Sequence, residues 1–264
     1  TDDDDASAGG FVSTQLLLPS PINPYKGLRP FETPDAQNYF GRQTLIRRLL
    51  DRLTYPNGSP KNNGITPHGS TAHVHIPLSR RFLAIIGPSG SGKSSLIRAG
   101  LVPALIRGEV QGSERWFIAP MTPGLRPLDE LEVCLLRIAA HQPGNLREQL
   151  ERDENGLLRA TDLILPRDDS ELAIVIDQFE ELFTLTADED ERRHFLNLLS
   201  RSAIDPRSRI RVIIGLRADY YDRPLHYPLF ADMLRSNMET ILPLSAEELE
   251  QAIVLPAEQV GVAL

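Results

Sequence analysis

A chain of 264 residues, 41% hydrophobic and 24% charged, has the make-up of an ordinary globular fold of one domain with extensions. Its formal net charge of −8 argues against a surface built to coat nucleic acid, and no apolar run is long enough to span a bilayer. With no signal peptide and one cysteine, Cys134, an internal disulfide framework and a cysteine metal site are excluded and the cytoplasm is the expected compartment.

Residues 1–24 read as a linker or tail, with an acidic run at Asp2–Asp5 and proline punctuation at Ser20–Pro24. The chain opens on Thr, so it reads as a piece of something longer. From Asp35 a helical pattern takes over, with Ala36, Tyr39, Leu45, Ile46, Leu49, Leu50 and Leu53 on the apolar side. Residues 55–80 read as a long irregular loop. Its His68, His73 and His75 make a poor metal cage, since neither carboxylate nor cysteine sits beside them.

Phe82–Gly87 is a buried strand, and the loop behind it is the most informative stretch of the chain. Gly87, Pro88, Ser89, Gly90, Ser91, Gly92, Lys93 and Ser94 fit G-x-x-x-x-G-K-[ST] without a mismatch, and Ser95 continues into a helix. The glycines let successive N–H groups turn inward as an anion cradle, and the helix start adds partial positive charge. Lys93 is expected to reach the β- and γ-phosphates of a nucleoside triphosphate, and the Ser94 hydroxyl to ligate Mg²⁺. The helix is expected to run to about Ile106 and to bend near Pro103.

Arg115–Pro120 reads as a strand, Leu128–His141 as a helix with Leu131, Val133, Leu135, Leu136 and Ile138 inward, and residues 144–153 as a charged helix. Cys134 falls on the apolar face, as a small buried hydrophobe does. Leu172–Asp177 is a continuously apolar strand, and Asp177 at its end suits a magnesium ligand. Glu180 or Glu181 follows within reach of an attacking water; both also suit the solvated first turn of a helix, and the sequence does not choose between them. A charged helix at Asp188–Ser202 and a strand at Ile210–Gly215 come next. If that strand neighbours the Asp177 strand, Arg217 points at the γ-phosphate; the plainer alternative is a salt bridge to Asp219. Glu239–Leu244 reads as a fifth strand, and Ser245 with Glu248 as a capping box opening a helix that Pro256 interrupts. The whole predicts an α/β three-layer sandwich with a mostly parallel sheet of about five strands. Residues 25–244 form the nucleotide domain and 245–264 the start of a C-terminal helical domain.

With these residues located, the chain resembles the STAND class of P-loop ATPases (signal-transduction ATPases with numerous domains). It is most similar to the bacterial novel STAND group often fused to WD40 repeats. The stretches that carry the resemblance are Asn23–Phe31, Tyr39–Arg42, Gly87–Leu105, Asp177–Phe183, Leu216–Tyr221 and Ala252–Ala257, in the family's order. The resemblance implies an ATP- and Mg²⁺-dependent switch, closed with ADP and opened by ATP, whose protomers assemble through their nucleotide domains. It also implies effector and sensor domains in a longer parent chain, Gly41 and Arg42 against adenine or ribose, and Arg217 as the residue that reports hydrolysis. The chain departs from the pattern in two respects: no clear counterpart of the family's Gly/Pro motif precedes residue 264, and no repeat array or effector domain is visible, which fits a core ATPase fragment of a larger protein. Separately, Gln178 stands where many related ATPases carry a carboxylate, which points to slow turnover. The alternatives are a non-hydrolysing ATP-gated scaffold, a P-loop kinase and a DNA-associated ATPase. No Asn-Lys-x-Asp guanine motif and no Leu-Ser-Gly-Gly signature occurs.

Overall fold

A computed structural model describes residues 23–54, 81–139 and 143–262. The tail at 1–22, the loop at 55–80 with its three histidines, and the end of the helix expected to reach His141 lie outside the described residues. In chain order the elements are α1 (Gln43–Thr54), β1 (Phe82–Gly87), α2 (Lys93–Ser95), a π-helical turn Leu96–Leu101, α3 (Val102–Ile106), β2 (Phe117–Met121), α4 (Pro127–Ile138), α5 (Leu146–Arg152), α6 (Gly156–Ile164), β3 (Leu172–Ile176), α7 (Glu181–Thr184), α8 (Glu189–Ile204), β4 (Ile210–Arg217), α9 (Pro228–Ser236), β5 (Met238–Thr240) and α10 (Ala246–Gln259), with short 3-10 turns between.

The five strands form one sheet in the order β2-β3-β4-β1-β5, and every pairing is parallel. Because strand side chains alternate, the sheet builds two separate cores. Phe82, Ala84, Ile86, Ile174, Ile176, Val212 and Ile214 face α4, α5, α6, α8 and α9. Leu83, Ile85, Ala173, Val175 and Ile213 face α1 and the helix after the phosphate loop, through Leu45, Leu49, Leu53, Ile97, Leu101 and Leu105. Covering both faces is what lets β1 and β3 be apolar at every position. Among the described residues no helix is long and apolar enough to cross a membrane.

Several boundaries differ from expectation, each for a local reason. The helix expected from Asp35 onward is a 3-10 turn, Thr33–Asn38, then a break, then α1; Gly41 at φ +83° turns the chain between them. Pro103 sits at the start of α3, directly behind six π-helical residues whose wider turn accommodates the ring. In α4 the inward stripe is Leu128, Leu131, Cys134 and Leu135, while Val133 and Leu136 are exposed. β5 is only three residues long, although Ile241 N–H still donates to the Ile86 carbonyl (2.7 Å). Pro256 does not end α10, which runs on to Gln259.

Candidate active site

The parallel order brings the carboxyl ends of β1, β3 and β4 to one edge, with Gly87 level with Arg217 and Ile176 level with Ile214. There the loop after β1 turns through Gly90 (φ +73°) and Gly92 (φ +84°). A Cβ at either would meet nothing within 4 Å, so both face open space, and only glycine holds these dihedrals without strain. Lys93 is 8% exposed, and its Nζ donates to the Gly87 carbonyl (2.9 Å) and the Pro88 carbonyl (2.8 Å). Burial holds its ammonium below the ordinary lysine range, against the opposing pull of Glu180 and Asp177.

Asp177 is 4% exposed and fully engaged. Its Oδ1 accepts from the Gln178 N–H (2.9 Å), and its Oδ2 pairs with Arg98 Nη2 (2.8 Å). Arg98, on the π-helical turn, bridges onward to Glu32 (2.7 Å). Gln178 has φ +53°, the one non-glycine left-handed residue among those described, so the backbone directly behind Asp177 is held under strain. That turn aims the next residues differently. The Glu180 carboxylate accepts from the Arg217 N–H (3.3 Å), whereas Glu181 accepts from the Gly124 N–H (3.2 Å), toward the β2–α4 loop. The Arg217 side chain forms the salt bridge to Asp219 (2.6 Å) and lies over the Tyr220 ring (5.4 Å).

One cleft of about 520 Å³ gathers Ser89, Gly90, Gly92, Lys93, Ser94 and Ser95 with Asp177, Gln178, Glu180 and Arg217. Its size suits a small-molecule site. Gly87, Pro88 and Ser91 belong to the loop but do not line the cleft, and Ser91 Oγ is buried without a partner beside Gly87. Glu181 is outside it. The far wall, Gly27–Phe31, was not anticipated as part of the site, and neither was Arg98 on Asp177. Among the described residues no cluster of three or more His, Cys, Asp or Glu side chains can hold a metal alone. A hydroxyl from Ser94 and a carboxylate from Asp177 in one cleft instead fit Mg²⁺, which takes few protein oxygens and completes its shell with phosphate and water.

Gly41 and Arg42 line a different cleft, of about 890 Å³, between the start of α1 and α10, together with Leu242, Pro243 and Leu255. Arg42 pairs with Glu248 (3.5 Å) and is buried. The two clefts flank the base of the phosphate loop: Ile241, next to Leu242, comes within 3.2 Å of where a Gly87 Cβ would stand.

The model of the family described as Novel STAND NTPase 1 matches residues 24–264. The chain belongs to that family. It is therefore a P-loop NTPase domain of the STAND type. No curated protein matches the chain. Among solved structures it is similar to Trip13 of Rhizobiales, with 14% identity over 88% of this chain and 73% of that one, at TM-score 0.45. It is also similar to the Aeropyrum pernix ORC2 protein (13%, 90% and 55%, TM-score 0.48). The Walker-type ATPase paby2304 of Pyrococcus abyssi is a third (15%, 90% and 63%, TM-score 0.49). All three scores lie below 0.5, and the assignment rests on the family match.

Proposed function

We propose that this STAND NTPase domain binds Mg-ATP, hydrolyses it slowly, and acts as a nucleotide-dependent conformational and assembly switch in bacterial signalling or defence. The observation that carries the reading is the convergence of the phosphate loop, Asp177, Glu180 and Arg217 on one cleft. Lys93, released from its two carbonyls, holds the β- and γ-phosphates as a buried ammonium. Ser94 and Asp177 would hold Mg²⁺, which when bound would supply charge neutralisation for the phosphates. Glu180 orients the attacking water and takes its proton as the water oxygen bonds the γ-phosphorus and the bond to the bridging oxygen breaks, leaving ADP and phosphate. Arg217 exchanges Asp219 for the γ-phosphate and so registers its loss. The cleft that Gly41 and Arg42 line, on the other side of the loop, takes the adenosine; its apolar Leu242, Pro243 and Leu255 beside polar Arg42 and Gln251 suit a base and a ribose.

Gln178, uncharged and directly behind Asp177, favours slow turnover and supports the second reading, a scaffold that ATP gates without being hydrolysed. The sparse burial of α10, where only Pro256 and Ala257 are buried, supports residue 245 as the start of a separate helical domain. We further propose self-association through the nucleotide domain, and effector and sensor domains in a longer, cytoplasmic parent chain.

Light scattering with phosphate release, under ADP, ATP and no nucleotide, tests the switch. Growth in ATP with slow turnover is expected. Fast turnover by an unchanging monomer, or phosphoryl transfer to an acceptor, overturns it in favour of an ordinary ATPase or a kinase. In the same assay Lys93→Ala should weaken nucleotide binding about tenfold or more, as loss of a charged hydrogen bond does.

A further inference from the structure

We propose that Arg29 is a γ-phosphate ligand, carried on a strap, Tyr25–Phe31, that runs from α10 to the phosphate loop. The proposal rests on the nucleotide site described above and extends it to the wall formed by Gly27–Phe31.

The strap is fastened at both ends. On the loop side, the Phe31 N–H donates to Ser95 Oγ (3.0 Å), the Phe31 ring lies against Tyr39 (5.5 Å between centroids), and Thr33 Oγ1 donates to the Arg98 carbonyl (2.9 Å). On the far side, the Tyr25 hydroxyl donates to the Ile253 carbonyl (2.6 Å), in the turn of α10 that Pro256 loosens by lacking an N–H. Lys26 pairs with Asp35 (2.6 Å). Between these fastenings, Gly27 to Pro30 stand exposed and form the outer wall of the phosphate cleft.

The charges of the cleft single out Arg29. Its anions are Asp177 and Glu180; its cations are Lys93, Arg217 and Arg29. Arg217 is committed to Asp219, Lys93 to two backbone carbonyls, and the nearby Arg98 to Asp177 and Glu32. Among the described residues Arg29 has no ion pair. A triphosphate therefore finds one guanidinium with no ion pair to break, the anion it acts on being Asp35, already paired with Lys26, and a guanidinium matches phosphate geometry with paired N–H donors. With the base in the Gly41 cleft, a triphosphate crosses the loop into the cleft that Arg29 lines together with Glu180 and Arg217, and the proposal sets Arg29 against its terminal phosphate, beyond the reach of ADP. Arg29 thereby ties the strap to the presence of the γ-phosphate, and the Tyr25 hydroxyl carries that state to α10.

The test measures the affinity of this 264-residue chain for AMP-PNP and for ADP by calorimetry, in wild type, Arg29→Ala and Lys93→Ala. Arg29→Ala is expected to weaken AMP-PNP about tenfold or more while leaving ADP within twofold; Arg29 is exposed, so the variant has no core to lose. Equal loss for both nucleotides, or loss for neither, overturns the assignment of Arg29. That failure is distinct from failure of the site itself, which would show as a wild type that binds neither nucleotide or a Lys93→Ala variant that binds both as wild type does. Amide exchange in Ala246–Gln259 tests the strap. AMP-PNP is expected to slow it in wild type and not in Tyr25→Phe, whose AMP-PNP affinity stays within a few fold. Equal protection in both overturns the link to α10.

Discussion

Two neighbouring carboxylates, Glu180 and Glu181, show how much a single residue step decides. Consecutive positions at a helix start point about 100° apart, so only one can face a given cleft. Glu180 lines the phosphate cleft and accepts from the Arg217 N–H, while Glu181 holds the Gly124 N–H of the β2–α4 loop. If hydrolysis occurs through a carboxylate, Glu180→Gln lowers single-turnover phosphate release about 100-fold, the scale of general-base catalysis, with nucleotide affinity retained. Glu181→Gln should leave turnover within a few fold, since its lost contact is structural. Comparable losses in the two variants would refute the assignment. Arg98 belongs to the same scale: its guanidinium already satisfies Asp177, so the carboxylate reaches the cleft pre-oriented by Arg98 and by the Gln178 N–H.

Elements follow the same division between local and distant causes. The capping box of α10 was legible in the sequence because its partners are three residues apart: Ser245 Oγ accepts from the Glu248 N–H (3.2 Å), and Glu248 returns a bond to the Ser245 N–H (3.0 Å). Ser245→Ala removes half of that box, at a cost of about 1 kcal/mol. Since α10 buries so little, the loss should appear as roughly fivefold faster exchange of its first-turn amides, with the sheet's exchange unmoved. Faster sheet exchange or an unaffected first turn would contradict this. Strands β1 and β3 were legible for a related reason, as short, continuously apolar runs that only a covered parallel sheet accepts, and the apolar centre Val212–Ile214 marked β4. They located the phosphate loop, Asp177 and Arg217. Helices α6 and α9 went unread, although Leu157, Ala160, Thr161 and Ile164 keep helical spacing and Pro228 opens α9; charge and proline around them masked the period. The strap was visible only as a stretch of the family resemblance, with no chemistry of its own, and the Arg98–Asp177 pair left no local signal, joining residues 79 apart in the chain.

At the scale of the whole molecule, the question is how firmly α10 belongs to the body it sits on. Its contacts form a narrow seam: Gly41 against the Glu248 carbonyl and Ala252, Arg42 paired with Glu248, the Tyr25 hydroxyl on Ile253, and buried Pro256 and Ala257. Leu249 and Ile253, four residues apart, remain exposed. The tightest point is Gly41, where an added Cβ would lie 2.3 Å from the Glu248 carbonyl oxygen and the backbone already stands at φ +83°. Gly41→Val must therefore move one side of the seam. The α1 side is anchored by Leu45, Leu49, Leu50 and Leu53 in the sheet's core, so α10 is the side that yields. Cys134 offers a reporter on the opposite core: buried, with its thiol pushed up to about 12, it is protected from alkylation while that core stands. In Gly41→Val, limited proteolysis within Ala246–Gln259 should quicken about tenfold or more, the scale of a strained left-handed residue plus a steric clash. Cys134 should stay unreactive until global unfolding. If Cys134 instead alkylates in step with cleavage of α10, the helix is part of the cooperative core and cannot serve as the movable piece of a switch.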